Sequence, residues 1–549
     1  MSSEMYLTRR YDNSAKCPCF IAQYIYTLYQ SSPKTTYLLA INFNYLDNLL
    51  LLLNKNHPTM PEPSSFKVVQ VCSVSPPPQN GTTTTSPTSI PLTFLDILWL
   101  RFPPVERLFF FEFPNYPSSN SFYDSVLPYL KHSLSLTLQH FLPLVGNIIW
   151  PLDSPKPMIH YVPNEDSVTL TIAESNDHDV NVFDQLCSNL CDASQRYFLI
   201  PQLANSHEKA SLLALQVTLF PKFGFCVGIS THHAAMDGKS STLFMKAWSY
   251  TCSKLLESPS FPSSLPLPEN LTPFLDRSVI RDPTKIGEAY ADSWMNHGGT
   301  NNRSLKVWDF PNEFAKEGYG VKALFELNPT QIMKLKEHAK FKMGGSKSVK
   351  LSSFSVTCAY VLSCLVKTEE QHLLKNAVER VFLIFSVDCR TRLDPPIVST
   401  YFGNCVAGEK VEAETKGILL GNNDGFIVAL KGIIEALKRV EDGLVMNGAE
   451  SWFEDMRNFA DKAKIYSIAG SPRFGVYDVD FGYAKPKKVD MTSTDKTGAF
   501  SLSENKDNNG GIEIGLALKK SDMETFSTFF SEGLQSLFAQ VIIIRWMLR

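Results

Sequence analysis

Residues 224–250 read GFCVGISTHHAAMDGKSSTLFMKAWSY, and the fold is most readily inferred from this stretch. The eight residues before the first histidine are apolar or small, which predicts a buried strand. A serine at position 240 or 241 is a suitable N-cap for a helix that continues to Tyr250. His233 and Asp237 therefore lie in a turn between a strand and a helix, where a strand end meets a cleft.

The rest of the chain alternates between strand-like and helix-like segments in both halves. SLLALQVTLFP in the first half and VFLIFSVDCRTR in the second are both typical of buried strands. A stretch rich in Pro and Ser at 258–273 separates the halves. Because 549 residues are too many for one ordinary core, the pattern predicts an α/β protein with two comparable domains.

The predicted parts are a disordered, non-core extension at 1–59, a first domain at 60–257, a crossover linker at 258–300, a second domain at 301–537 and a tail at 538–549.

The composition excludes several classes of protein. Charged residues make up 19% and hydrophobic residues 44% of the chain, which is typical of a globular protein. The formal net charge is −3 and no long basic run occurs, so nucleic acid is not expected as a partner. Eleven cysteines, an odd number scattered along the chain, do not form a disulfide pattern and favour a reduced, cytoplasmic protein.

The stretch YLLAINFNYLDNLLLLL at 37–53 raises the question of a membrane anchor. It is short for a membrane span and contains Asn42, Asn44, Asp47 and Asn48. It also lies too far into the chain for an ordinary signal peptide. We therefore expect no membrane association, with a peripheral or membrane-targeting role as the alternative.

Several reaction types lack their sequence signatures. The chain contains no G-x-S-x-G nucleophile motif, no Walker loop and no H-E-x-x-H zinc motif. His233 and Asp237 could share one face of a helical turn, but no third ligand with a recognisable spacing accompanies them. No metal site is predicted.

General-base catalysis is the chemistry that the turn fits. A neutral imidazole at a strand end can accept a proton from an attacking hydroxyl near neutral pH. A satisfied core histidine is the alternative for His233. Asp237 would either orient the imidazole or form an ion pair that holds the fold, and the spacing leaves both roles open.

Two motifs together resemble those of the BAHD family of plant acyltransferases, which depend on coenzyme A. His233–Gly238, HAAMDG, matches the H-x-x-x-D-G motif of that family. Asp480–Ala484, DFGYA, is similar to its D-F-G-W-G motif, about 240 residues further on. The second match departs from the pattern, because Tyr483 replaces Trp and Ala484 replaces Gly. The similarity extends from about Met60 through LPLVGNIIWP and DCRTRLDPP.

A third motif points to one branch of the family. YFGNC consists of Tyr401, Phe402, Gly403, Asn404 and Cys405. It resembles the branch that acylates the sugars of anthocyanins and other flavonoid or phenolic glucosides. Many members of this branch use malonyl-CoA.

The resemblance implies two domains of similar chloramphenicol acetyltransferase-like fold with a channel between them. His233 would be the catalytic base in that channel. Asp237, in the same loop as Gly238, would turn away from the substrates and pair with an arginine, either Arg390 or, alternatively, Arg392. His232 is expected to pack on the opposite side of the strand. The motif residues Asp480, Phe481 and Gly482 would have a structural role on the coenzyme A side.

The resemblance also implies an enzyme that uses acyl-CoA as cosubstrate, binds no resident cofactor and acts as a monomer. We expect an O-acyltransferase that transfers a malonyl group to a sugar hydroxyl of a flavonoid, anthocyanin or phenolic glucoside. A hydroxycinnamoyl-CoA donor is the alternative. Because Tyr483 and Ala484 depart from the family pattern, a non-catalytic binding paralogue is a third hypothesis.

Overall fold

The computed structural model describes residues 66–78, 86–113, 119–176, 180–257, 262–309, 314, 319–344, 350–420, 424–443, 446–457 and 463–547. The extension predicted at 1–59 and its apolar stretch at 37–53 lie outside these ranges. Within them, no helix combines the length and the apolar character needed to cross a membrane.

The strands are β1 (Phe66–Val74), β2 (Thr88–Pro91), β3 (Val105–Glu112), β4 (Asn147–Ile149), β5 (Met158–Tyr161), β6 (Val168–Ser175), β7 (Leu190–Asp192), β8 (Lys209–Ser211), β9 (Leu213–Phe220), β10 (Gly224–Thr231), β11 (Gly320–Leu327), β12 (Arg380–Asp388), β13 (Val406–Glu414), β14 (Ala463–Gly470), β15 (Lys488–Met491), β16 (Phe500–Glu504) and β17 (Ile512–Lys519).

The helices are α1 (Phe94–Ile97), α2 (Leu127–His140), α3 (Val180–Cys187), α4 (Gly238–Glu257), α5 (Ile286–Met295), α6 (Pro329–Lys342), α7 (Ser353–Thr368), α8 (Glu370–Lys375), α9 (Thr415–Leu419), α10 (Asp424–Glu441), α11 (Trp452–Arg457), α12 (Ser493–Thr497) and α13 (Lys520–Met547). A single helical turn at Ser119–Ser121 and a π-helical segment at Phe122–Val126 lead into α2.

The strand predicted before the histidine pair is confirmed as β10. It pairs antiparallel with β9 on one side and β3 on the other, over eight residues each. Every residue of β9 and β10 is buried. The apolar run in the sequence therefore reflects a central strand covered on both faces.

The start of the following helix differs from the prediction. Helix α4 begins at Gly238, ahead of the serines expected to cap it. Asp237 provides the cap, because its Oδ1 accepts the backbone N–H of Ser240 at 2.8 Å. A carboxylate at this place satisfies a free N–H and also interacts favourably with the positive end of the helix.

Two large sheets make up the core, and each contains a strand from the other half of the chain. The first sheet has the order β1-β6-β9-β10-β3-β15, and the second β13-β12-β14-β16-β17-β11-β7. Strand β15 pairs with β3 in the first sheet, while β7 pairs with β11 in the second. A third sheet has the order β2-β5-β4-β8. Domain boundaries drawn along the sequence do not capture this exchange of strands.

Buried charges tie the exchanged strands together. Arg196 contacts Asp490 of β15 and Asp495 of α12 at 2.5 Å each. Lys322 of β11 lies 2.9 Å from Asp495 and 3.4 Å from Asp490. All four side chains are at most 4% exposed, so each charge depends on its partners for solvation.

The last helix runs without a break past residue 538, where a separate tail is predicted. The stretch predicted as a crossover linker contains helix α5, whose Trp294 is fully buried. The Trp294 indole N–H donates to the carbonyl of Ile97 at 2.8 Å. Helix α5 of the predicted linker is therefore packed against helix α1 in the first half of the chain.

Candidate active site

His233 lies in the turn that follows β10. Its imidazole stacks on the indole of Trp99 with 4.1 Å between ring centroids and 9° between planes. Phe102 meets the ring at an edge, 6.3 Å away. Nδ1 is buried and has no hydrogen-bond partner among the described residues. Because the residue as a whole is partly exposed, Nε2 is the nitrogen that a substrate can approach.

Burial lowers the pKa of His233 to about 4, although the residue's own backbone carbonyl and Asp237 act in the opposite direction. The imidazole is therefore neutral at pH 7 and able to accept a proton.

His232 is a different kind of residue. It is fully buried, and its Nδ1 accepts the backbone N–H of Ala234 at 3.2 Å. Burial and the neighbouring His233 lower its pKa to about 3. It stays neutral and supports the turn, in agreement with the packing role expected for it.

Both carboxylate oxygens of Asp237 are engaged away from His233. Oδ1 caps α4, as described above, and Oδ2 accepts the backbone N–H of Cys405 at 3.1 Å. Oδ2 also lies 2.9 Å from Nη2 of Arg390. Of the two roles that the spacing left open, this geometry supports the ion pair that holds the fold.

Arg390 occupies the centre of this arrangement. Its side chain is 1% exposed and contacts Asp388 through Nη1 at 2.9 Å. Nη2 donates to the Ser240 hydroxyl and to the Tyr401 carbonyl, both at 3.0 Å. Burial lowers the pKa of the guanidinium, but the two carboxylates outweigh this effect and raise the pKa overall.

Arg392, the alternative partner of Asp237, lies elsewhere: its Nη1 donates to the carbonyl of Asp388 at 2.7 Å.

The YFGNC motif, from the second half of the chain, lies against the turn that carries His233. Gly403 accepts from the Ser240 hydroxyl at 3.0 Å through its carbonyl. Asn404 donates from Nδ2 to the carbonyl of His233 at 2.9 Å. Tyr401 and Phe402 are each 1% exposed and anchor the motif in the core. In this protein the motif therefore holds the backbone of His233 in place.

Gly238 allows a close approach on the other side of the turn. A Cβ at this position would lie 2.9 Å from Cε2 of Phe474. The small residue of the H-x-x-x-D-G motif thus lets an aromatic ring pack directly on the start of α4.

Three residues of the site were not identified from the sequence: Asp96, Trp99 and Arg277. Asp96 Oδ2 lies 2.5 Å from Arg277 Nη1, and both side chains are at most 5% exposed. Arg277 Nη2 donates to the carbonyl of Ala235 at 2.8 Å. Asp96 Oδ1 accepts from the backbone N–H and from Nδ2 of Asn404. The one sequence signal is the Thr93-x-x-Asp96 capping box at the start of α1.

The D-F-G motif packs near the C-terminal end of α4, whereas His233 precedes the N-terminus of that helix. The Phe481 ring is fully buried between Phe111, at 5.4 Å, and Trp248, at 4.9 Å. Gly482 has φ +89°, and a Cβ there would lie 3.1 Å from the Cα of Ser253. Asp480 Oδ1 accepts the N–H of Gly482 at 2.8 Å.

The two departures from the family motif fit their surroundings. Tyr483 packs its ring edge-on against Phe113 at 6.3 Å, and its hydroxyl donates to the carbonyl of Ser125 at 3.4 Å. Ala484 does not have a positive φ. The conformation that would disfavour alanine is therefore not required here.

A cavity of about 580 Å³ lies apart from this arrangement and is lined by Ile149, Trp150, Pro151, Leu152, His207, Glu208, Asn301, Asn302, Arg303 and Ser304. His233 is not part of its lining. Across the ranges that the structure describes, no group of three or more His, Cys, Asp or Glu side chains could hold a metal ion. The nine cysteines in those ranges are all free thiols.

Comparison with known proteins identifies the family. Residues 79–532 match the Transferase family. The chain is 36% identical over 484 residues to malonyl-CoA:anthocyanidin 5-O-glucoside-6''-O-malonyltransferase of Arabidopsis thaliana, covering 86% of this chain and 99% of that protein. It is 35% identical over 483 residues to coumaroyl-CoA:anthocyanidin 3-O-glucoside-6''-O-coumaroyltransferase 2 of the same plant, covering 86% of this chain and 98% of that one.

The fold agrees with a solved structure. The crystal structure of vinorine synthase superposes with a TM-score of 0.60 at 19% identity, covering 84% of this chain and 96% of that one. The chain belongs to the BAHD family of acyl-CoA-dependent acyltransferases. The family, the enzyme class and the two-domain chloramphenicol acetyltransferase-like fold expected from the sequence are thereby confirmed.

Proposed function

We propose that this enzyme transfers a malonyl group from coenzyme A to a sugar hydroxyl of a flavonoid, anthocyanin or phenolic glucoside, with His233 as the general base. The observation that carries the catalytic part is the neutral, partly exposed imidazole of His233. Its backbone is held by Asn404 from the other half of the chain. Because the imidazole is already neutral at pH 7, it can accept a proton without first being deprotonated.

The proposed reaction is a direct transfer. Nε2 of His233 takes the proton of the sugar hydroxyl while the oxygen attacks the thioester carbonyl carbon. The tetrahedral intermediate then collapses, the C–S bond breaks, and the departing thiolate receives the proton from the imidazolium. The products are the ester and free coenzyme A, and the base is regenerated without an acyl-enzyme.

Three side chains would keep His233 in position without touching the reacting atoms. Asp237 and Arg390 hold the end of the turn to the second half of the chain through their ion pair. Asn404 fixes the carbonyl of His233. A fixed turn matters because a displacement of about 1 Å can cost roughly a hundredfold in rate.

The acceptor class rests on the relatives and on the surroundings of the base. Both relatives described above are named for anthocyanidin glucosides. Phe102 meets the His233 ring at its edge, and Trp308 packs against Phe102 with 5.4 Å between ring centroids. Both aromatic side chains are partly exposed and suit a flat aromatic acceptor.

The donor has one serious competitor. A malonyl donor is favoured by the relative with 36% identity, and a hydroxycinnamoyl donor by the coumaroyltransferase with 35% identity. One acceptor incubated in parallel with malonyl-CoA and p-coumaroyl-CoA separates the two hypotheses. A kcat/KM at least tenfold higher for malonyl-CoA is the expected outcome, and the reverse preference would establish the alternative.

The test of the function itself is a donor-by-acceptor screen with the purified full chain, scored by the mass of the ester and by release of coenzyme A. His233→Ala is expected to abolish nearly all turnover. The matched control is His372→Ala, which removes an exposed histidine from α8 and should leave turnover unchanged. Absence of ester with every donor would favour the non-catalytic paralogue, and turnover by H233A would remove His233 as the base.

A cytoplasmic, monomeric enzyme with no nucleic-acid partner completes the proposal. Fractionation of cells and light scattering of the purified protein test the first two points.

A further inference from the structure

Among the described residues, no hydrogen bond fixes the imidazole ring of His233, which is unusual for a general base. In many enzymes a carboxylate or a carbonyl accepts a hydrogen bond from the second ring nitrogen and fixes the ring. Here Nδ1 has no such partner among the described residues. The carboxylate of Asp237 is fully engaged with Ser240, Cys405 and Arg390.

The residue's own carbonyl does not replace that partner. It raises the pKa of His233, but Nδ1 makes no hydrogen bond of normal geometry to it. The same carbonyl accepts the side-chain N–H of Asn404 at 2.9 Å, which holds the peptide group rather than the ring.

What does hold the ring is an aromatic face. Trp99 lies parallel to the imidazole at 4.1 Å, whereas Phe102 meets it only at an edge. Parallel stacking at this distance restricts rotation of the imidazole and covers one of its faces.

We infer that Trp99 is the positioning residue of the catalytic base: its indole fixes the plane of the His233 imidazole and keeps water from Nδ1, so that Nε2 is presented to the sugar hydroxyl. This inference rests on the proposed role of His233 as the base.

The backbone that carries the indole is held by the residue that also holds the turn. The backbone N–H of Trp99 donates to the carbonyl of Asp96 at 3.0 Å. The carboxylate of Asp96 holds Asn404 and Arg277, which in turn hold the carbonyls of His233 and Ala235. Asp96 therefore contacts both the backbone of Trp99 and the two side chains that hold the turn of His233.

The contact between Trp99 and His233 can be tested through the pH dependence of the reaction. The charged or titratable groups around His233 are His232, Asp237, Arg390 and the Asp96–Arg277 pair. Removal of the indole leaves these groups in place but lets water reach the imidazole. Desolvation is the largest cause of the low pKa, so the pKa of His233 should rise towards its ordinary value of about 6.5.

The test uses Trp99→Leu and Trp99→Phe in the full-length enzyme, with the donor and acceptor that the screen identifies. For W99L we expect kcat to fall by roughly tenfold to a hundredfold with KM for both substrates within about twofold, because orientation and not binding is lost. The acid limb of kcat/KM should move up by at least one pH unit. The phenyl face of W99F should restore most of kcat and return the acid limb towards that of the wild type.

The matched control is Trp308→Leu, which removes the same side chain from a position that contacts Phe102 at 5.4 Å. It is expected to change KM for the acceptor and to leave the acid limb where it is. Should W99L fail to fold, Trp99→Met carries the same test, because methionine fills irregular apolar space without a ring.

Two results would overturn the inference while leaving the proposed function intact: an unchanged acid limb with kcat within twofold in the non-aromatic variant, or an equal shift in W308L. A wild-type enzyme without turnover, or an active H233A, would instead remove the proposed function.

Discussion

Replacement of Asp237 by asparagine tests the central ion pair with a minimal change of shape. The carboxylate accepts from Ser240 at one oxygen and from Cys405 and Arg390 at the other. An amide supplies one acceptor only, and its NH₂ group must face at least one of these donors. D237N therefore leaves a buried donor facing another donor, and it removes the negative charge from beside a guanidinium that is 1% exposed.

The size of the effect follows from burial. Removing one partner of a buried pair typically costs about 3–5 kcal/mol. Arg390 keeps its contact with Asp388, so the lower end of this range, about 3 kcal/mol, is the expectation. The matched control is Asp388→Asn, which also breaks a 2.9 Å contact with Arg390, but at a side chain that is 39% exposed. Exposed pairs contribute about 0.2–1 kcal/mol, so D388N should cost less than about 1 kcal/mol.

Urea unfolding of the wild type and both variants, followed by tryptophan fluorescence and by circular dichroism, measures the difference. Turnover measured well below the unfolding midpoint should fall in D237N and stay close to that of the wild type in D388N. Equal losses of stability in the two variants would refute the reasoning, because burial would then have no influence on the strength of the pair.

Three further predictions concern pH, the strand exchange and the D-F-G motif. Because burial lowers the pKa of His233 to about 4, kcat/KM of the wild type should be flat above pH 5 and fall only near pH 4; a limb near 6.5 would contradict the buried state of the base. Because of the same shift, His233 binds more protons in the unfolded chain than in the folded one between about pH 4 and 6.5. Its titration should therefore lower the free energy of unfolding as the pH falls through that window. Arg196→Met leaves two buried carboxylates with Lys322 as their remaining cation and should cost about 3 kcal/mol in urea unfolding, against less than about 1 kcal/mol for Arg380→Met, whose partner Glu412 is 41% exposed. Gly482→Ala, at φ +89°, should cost about 1–3 kcal/mol, whereas Ala484→Gly should change the free energy of unfolding by less than about 1 kcal/mol; similar values for the two would contradict the assigned backbone conformations.

The local order of strand, turn and helix around His233 could be inferred from the sequence. An apolar run that is buried on both faces has a composition that can be recognised without a structure, and β10 begins and ends where that run does. The position of the helix cap could not be inferred in the same way. Serine and aspartate are both good caps, and only the observed bond from Ser240 to Asp237 decides between them.

The sequence by itself determined the two-domain fold, the motif that carries His233 and Asp237, and the family to which they belong. Only the tertiary structure decided that Arg390 and not Arg392 lies beside Asp237, that Trp99 faces the imidazole, and that β7 and β15 are exchanged between the sheets. Asp96 and Arg277 are 181 residues apart, and Asp96 and Asn404 are 308 apart. Periodicity in a sequence reports which face of a local element is buried, because that depends on neighbouring residues. The pairing of two polar side chains across such distances depends instead on how the intervening sheets pack, and no local pattern encodes it.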